Sequence, residues 1–203
     1  MIVPIIIYGS PILRKHSSIV LNTDNPEEIS GNLFDTVRKN QGVGLAAPQI
    51  GIQKRMFVID TLPLHENNEE VENYQKAFLN PEIIWKSSSQ LCFTEGCLSI
   101  PGIKEEVIRP EKIRVRYLDI NFNRIEEELD GLKSRIFQHE YDHLEGILFT
   151  DRLSHLRRKF LATKLNEIKK TKNNKLWIKN IQFQKLSFRT LKALFWLRRA
   201  KVV

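Results

Sequence analysis

His139 and His143 stand four residues apart in the run Gln138-His139-Glu140-Tyr141-Asp142-His143. On a helix that spacing puts both imidazoles on one face, one turn apart, where they can share a transition metal. Glu140 lies between them, about 100° round the helix from His139. It is poorly placed to ligate and well placed to take a proton from a water that a metal has acidified. Leu132 and Ile136 continue the same stripe backwards, so the histidines fall on a buried face. The pattern alone also describes two core histidines satisfied by backbone carbonyls.

A catalytic metal needs a third ligand. The remaining candidates are His16, His65 and His155, together with Cys92 and Cys97. Cys97 sits in the short loop-like run Glu95-Gly96-Cys97-Leu98-Ser99-Ile100-Pro101-Gly102. Its thiolate suits a soft or borderline metal, and two His with one Cys leave a fourth position open, as hydrolysis requires. Cys92 offers an alternative, a closed structural Cys₂His₂ zinc site, which would have no use for Glu140. A third stretch, Gly42-Val43-Gly44-Leu45-Ala46-Ala47-Pro48-Gln49-Ile50-Gly51, has small residues where another backbone can approach closely, and one side-chain amide, Gln49.

The three stretches together resemble the peptide deformylase family. Its motifs GφGφAAPQ, EGCφS and QHEφDH (φ apolar) occur here in the same order and without a substitution, and the resemblance runs from about Ile5 to Leu165. It implies an enzyme that hydrolyses the formyl group from the N-formylmethionine of nascent polypeptides. Cys97, His139 and His143 would hold the metal, ferrous iron (Fe2+), with Zn2+, Ni2+ or Co2+ able to substitute. Glu140 would carry protons. The Gln49 amide and the Leu98 backbone N–H would stabilise the oxyanion, unless Gln49 merely ties its loop together. Val43, Leu98, Leu132, Ile136 and His139 would line the methionine pocket, and Gly44 and Leu45 would pair with the substrate backbone. Glu95 and Gln138 would orient the ligands, and Asp142 would bind a backbone group or an arginine. Arg135 would lie at the pocket rim or point to solvent. A zincin-like endopeptidase shares the two histidines and the glutamate but accounts for neither Cys97 nor the glycine-rich stretch.

These residues need a scaffold, and 203 residues with 41% hydrophobic and 28% charged composition can supply one. The periodicity predicts a helix over 26–40, opened by Asn25-Pro26-Glu27-Glu28 as cap and acidic first turn. Strands are expected at 56–59, 77–85, 88–94, 103–108, 113–119 and 123–129, with a polar loop at 61–76. Asp130-Gly131 then starts the histidine helix. The order reads as an α+β fold, antiparallel sheets packed around that central helix.

The net charge of +8 is uneven: residues 152–203 hold 16 Lys and Arg against the single acid Glu167, whereas 1–151 hold 16 against 23. The expected division is a catalytic domain over 1–151 and a basic C-terminal helical extension over 152–203. Leu153, Leu156, Phe160, Leu161, Leu165 and Ile168 recur there at helical spacing, and 183–197 forms a second basic, aromatic-rich stretch. Such an extension suits ribosomal RNA at the ribosome, where nascent chains emerge. It also suits docking on the acidic body or lying on a membrane surface. A nucleic-acid binder with structural zinc would fit the tail alone. The apolar start, Met1 to Ile7, is broken at once by Tyr8-Gly9-Ser10-Pro11, so neither a signal peptide nor stable membrane insertion is expected. Two cysteines fit a reducing, cytoplasmic setting.

Overall fold

Proline at the first helical position and two acids behind it start α1 (Pro26–Lys39) where the sequence places it. Asn25 holds the cap position in the left-handed region and makes no side-chain capping bond. The chain then runs through β1 (Gly44–Ala46), β2 (Met56–Asp60), the single turn α2 (Leu62–His65) inside the expected loop, and β3 (Gln75–Lys86). A hairpin follows, β4 (Gln90–Cys97) and β5 (Ile100–Pro110), then β6 (Ile113–Leu118) and β7 (Arg124–Leu129). The last elements among the described residues are α3 (Gly131–Leu144), with the two histidines, and α4 (His155–Thr171). This computed structural model describes residues 1–69 and 71–171. The basic stretch expected at 183–197 lies outside the described residues.

The fold is mixed α/β with antiparallel sheets. Among the described residues, five strands form one sheet in the order β1-β2-β3-β6-β7, and β4 pairs only with β5. In β3 the register shifts between Leu79 and Glu82, where Asn80 takes φ 50° ahead of Pro81. The bend frees the Asn80 amide to bond the backbone N–H and C=O of Val20 at 2.7 and 3.0 Å.

Three apolar clusters hold these layers. In the first, α3 buries Ile136, Phe137 and Leu144 against the inner face of the five-stranded sheet, including Phe57, Phe78 and Tyr117. The Phe137 ring meets those of Phe57 and Phe78 edge-on, at 5.0 and 5.1 Å. In the second, Ile100, Ile103 and Val107 of β5 pack with Leu13, Phe149 and, on α4, Leu161, Leu165 and Ile168. The third joins Ile29, Leu33 and Val37 of α1 to Leu45, Met56 and Val58. Each fully buried Leu or Phe contributes about 1.5–3 kcal/mol. Residues 152–169 thus belong to the same compact unit as the body, Met1–Lys169. The apolar set expected on α4 divides: Leu161, Leu165 and Ile168 are buried, while Leu156 and Phe160 are 64% and 69% exposed. Among the described residues no helix is long and apolar enough to cross a membrane.

Candidate metal centre

α3 begins at Gly131, with Asp130 extended at the cap position and making no side-chain bond, and it delivers His139 and His143 one turn apart as their spacing requires. Cys97 arrives from the other direction, at the end of β4, where a turn at Leu98-Ser99 leads into β5. One donor atom from each of Cys97, His139 and His143 lies within 4.8 Å of the others. Cys97 Sγ is 3.3 Å from His143 Nε2, and the two imidazole centroids are 5.2 Å apart. The Nδ1–H of His139 donates to Glu95 Oε2 at 2.9 Å, which leaves Nε2 to turn toward the cysteine. Cys92 is exposed on β4 and stands outside this group.

Glu140 lies on the same helix, 4% exposed, and its Oε2 has no hydrogen-bond partner. Burial pushes its carboxyl up to about 7, close to the range in which it can both take and return a proton. Gly44 lies against it: a Cβ there would stand 2.6 Å from Glu140 Oε1 and 2.8 Å from Ile136 Cγ2. Gln49 is buried in the short turn after β1. Its Oε1 accepts from the Ala46 N–H at 2.8 Å, and its Nε2 lies 3.1 Å from Ser99 Oγ and 3.5 Å from Cys97 Sγ. The amide therefore ties its own loop and also reaches the cysteine. Val43, Leu132 and Ile136 pack in the first cluster, and Leu98 against the third. The Leu45 side chain is wholly buried in the third cluster, so only its backbone is available to a ligand.

Behind the ligands runs a buried charge network. Burial alone would raise the Glu95 carboxyl, but hydrogen bonds from Arg109 and His139 outweigh it and hold the group well below the usual carboxylate range. Arg109 grips Glu95 through Nε and Nη2 at 2.7 and 2.9 Å, and reaches Asp142 through Nη1 at 2.6 Å. Arg152 Nε donates to the same Asp142 oxygen, Oδ2, at 2.6 Å, and its Nη2 donates to Oδ1, so Asp142 serves arginines and is no ligand. Gln138 Nε2 donates to the Pro110 carbonyl at 2.9 Å and steadies α3 against the end of β5. Arg135 neither lines a rim nor meets solvent; it is buried, and its Nη1 donates to Glu95 Oε1 at 2.7 Å. Sequence reasoning missed Arg109. The available signal was its phase: Ile103, Glu105, Val107 and Arg109 alternate on the inward side of β5.

The donor set fits a transition metal. Two imidazoles and a thiol converge on a small volume, one imidazole is oriented by a carboxylate, and the neighbouring carboxylate has an oxygen without a partner. A mixed α/β scaffold carrying such a set, with a buried carboxyl beside it, defines a class of proteins suited to metal-assisted hydrolysis.

Comparison with known proteins narrows the class. Residues 2–159 match the family model of polypeptide deformylase. The peptide deformylase of Christiangramia forsetii is 45% identical over 183 residues, covering 86% of this chain and 93% of that one. Among solved structures, the peptide deformylase of Plasmodium falciparum superposes with a TM-score of 0.75 at 39% identity, over 84% of this chain and 98% of that one. That of Thermus thermophilus gives 0.75 at 38% identity, over 84% and 99%. The chain belongs to the polypeptide deformylase family, whose members are metal-dependent hydrolases.

Proposed function

We propose that this chain removes the formyl group from the N-terminal formylmethionine of nascent polypeptides, releasing formate, with one metal ion held by Cys97, His139 and His143. The observation that carries the reading is the convergence of those three side chains beside the partnerless carboxylate oxygen of Glu140. The metal is ferrous iron, with zinc, nickel or cobalt able to take its place, since the donor types suit all four. When bound, it supplies Lewis acidity, lowering the pKa of a water and polarising a carbonyl oxygen.

Glu140 moves the protons. It accepts one from the attacking water and passes it to the leaving amine nitrogen as the carbon–nitrogen bond of the formamide breaks. Its raised carboxyl suits both transfers near neutral pH. The Gln49 Nε2–H and the Leu98 backbone N–H donate to the negative charge that develops on the formyl oxygen. Val43, Leu132 and Ile136 form the methionine pocket, with Leu98 at its edge, and the backbone of Gly44 and Leu45 pairs with the substrate. Residues 1–151 carry this chemistry. The extension 152–203, with its excess of basic residues, binds ribosomal RNA in the cytoplasm.

Two measurements test the reading together. Anaerobically purified protein should hold one metal per chain and release formate from formyl-Met-Ala-Ser, with no cleavage of internal peptide bonds. Internal cleavage without formate would point to an endopeptidase and sink the proposal. For the extension, protein cut after residue 170 should deformylate short peptides normally yet co-sediment less with ribosomes, and full-length binding should weaken steeply with salt. Equal sedimentation of the cut protein would remove that role.

A further inference from the structure

The ligands come from two elements that do not share a hydrophobic core. His139 and His143 ride on α3, whose apolar side chains Ile136, Phe137 and Leu144 belong to the cluster under the five-stranded sheet. Cys97 and Glu95 ride on the β4–β5 hairpin, whose apolar side chains Ile100, Ile103 and Val107 belong to the cluster with α4. The metal donors therefore face each other across a seam between two packed bodies. Apolar packing fixes each side of that seam; polar side chains span it.

Arg109 crosses from the hairpin, binding Asp142 and, at 3.4 Å, the Gln138 carbonyl on α3. Arg135 crosses in the opposite sense. From α3 its Nη1 donates to Glu95 Oε1 at 2.7 Å and to the Val107 carbonyl at 3.0 Å, and its Nη2 donates to the Leu91 carbonyl at 2.5 Å. One guanidinium thus holds both strands of the hairpin and the carboxylate that orients His139. Its planar fork is stiff, so three bonds in fixed directions locate β4 against α3 more closely than a single ammonium would. The guanidinium also lies 5.0 Å from the Phe93 ring centroid, which closes its outer side.

We propose that Arg135 is a positioning residue of the metal centre: it braces the hairpin that carries Cys97 against the helix that carries the histidines, and so slows metal release. The inference rests on the metal-site reading above. It predicts an effect on retention of the ion separate from any effect on fold stability.

The test uses zinc-loaded full-length protein and follows zinc release to an excess of a chromogenic chelator. Arg135→Leu should release zinc about 10–100-fold faster than wild type, the usual cost of losing a residue that orients metal ligands. Arg135→Lys, which keeps the charge but not the fork, should fall between the two. Glu105→Gln serves as the control. It breaks the bidentate Arg157–Glu105 pair between β5 and α4, at 2.6 and 2.9 Å, and loosens the same hairpin while leaving every bond of Arg135 in place. Release from Arg135→Leu at the wild-type rate overturns the proposal whatever happens to the melting temperature. Equal acceleration by Glu105→Gln overturns it as well, since general loosening would then suffice. If Arg135→Leu fails to fold, Arg135→Lys decides, and release at the wild-type rate sinks the brace. A wild-type protein that takes up no zinc, or a Cys97→Ser variant that holds it equally well, would instead sink the metal-site reading.

Discussion

A methyl group added at Gly44 tests whether Glu140 must sit where it does. The new Cβ would lie 2.6 Å from Glu140 Oε1, 2.9 Å from Glu140 Cγ and 2.8 Å from Ile136 Cγ2, where ordinary contact begins near 3.4 Å. The shortfall at the carboxylate, from 3.4 to 2.6 Å, is about 0.8 Å. Neither side yields readily. Glu140 and Ile136 are 4% and 5% exposed, and Gly44 is fixed opposite Ile59 in the sheet. A displacement near 1 Å in a reacting group costs about 100-fold in rate. That corresponds to about 2.7 kcal/mol on the barrier and sits at the low end of what acid–base catalysis supplies. Gly44→Ala should therefore lower kcat for formate release from formyl-Met-Ala-Ser by about 100-fold, with metal content unchanged. Gly31→Ala is the companion: a Cβ there meets nothing within 4 Å, in the middle of α1. It should leave kcat alone and raise stability by about 0.5–1 kcal/mol. A folded, metal-loaded Gly44→Ala with kcat near wild type would refute the placement of Glu140 in the chemistry.

Glu140→Ala should keep its metal and lose deformylation by about 10²–10⁴-fold or more. The metal-free form should melt no lower than wild type, because the carboxylate has a buried oxygen without a partner. Arg109→Leu strips Glu95 and Asp142 of a shared buried partner and should cost about 3–5 kcal/mol, roughly 6–20 °C in Tm by calorimetry. A smaller drop would mean that the remaining arginines carry the network. For pH, the Glu95 carboxyl is depressed in the folded state, so its stabilisation is present above the ordinary value of 4.5 and fades as pH falls through that value toward the folded one. Urea midpoints of metal-free protein should fall with acid from about pH 5 downwards, and Glu95→Gln should flatten that dependence. An unchanged slope in the variant would assign acid sensitivity to other carboxylates.

The helix over 131–144 and the strands at 56–60 and 113–118 were legible because burial writes a period of 3.6 or 2 directly into residue order. Cys97 was legible for a different reason, as a soft donor in a glycine-flanked run. The hidden part was the pairing behind the ligands. Arg109 and Glu95 are fourteen residues apart on facing strands, and Arg135 reaches Glu95 from forty residues away. Local pattern specifies which side of an element is buried, not which distant charge completes it. Arg135 illustrates this well: one position before Ile136, it reads as a surface or rim residue until the hairpin closes over it. The α4 stripe failed similarly, since Leu156 and Phe160 share the helical period of the buried leucines without sharing their partner.

The strand β1 has a consequence for which chains can be processed. It is three residues long, lies at the sheet's edge, and among the described residues has a strand partner on one side only, while its Ala46 N–H is already taken by Gln49. The opposite edge, β7, is blunted by Glu126, Glu127 and Glu128. On the proposed reading, an arriving peptide would meet a short stretch of main chain at Gly44 and Leu45, beside the donor cluster. Pairing there would use only amide groups, which every polypeptide presents alike, and would ignore the side chains that follow the first residue. An edge this brief gives weak grip but indifference to sequence, and indifference is what an enzyme needs if its clients are the leading ends of a whole proteome.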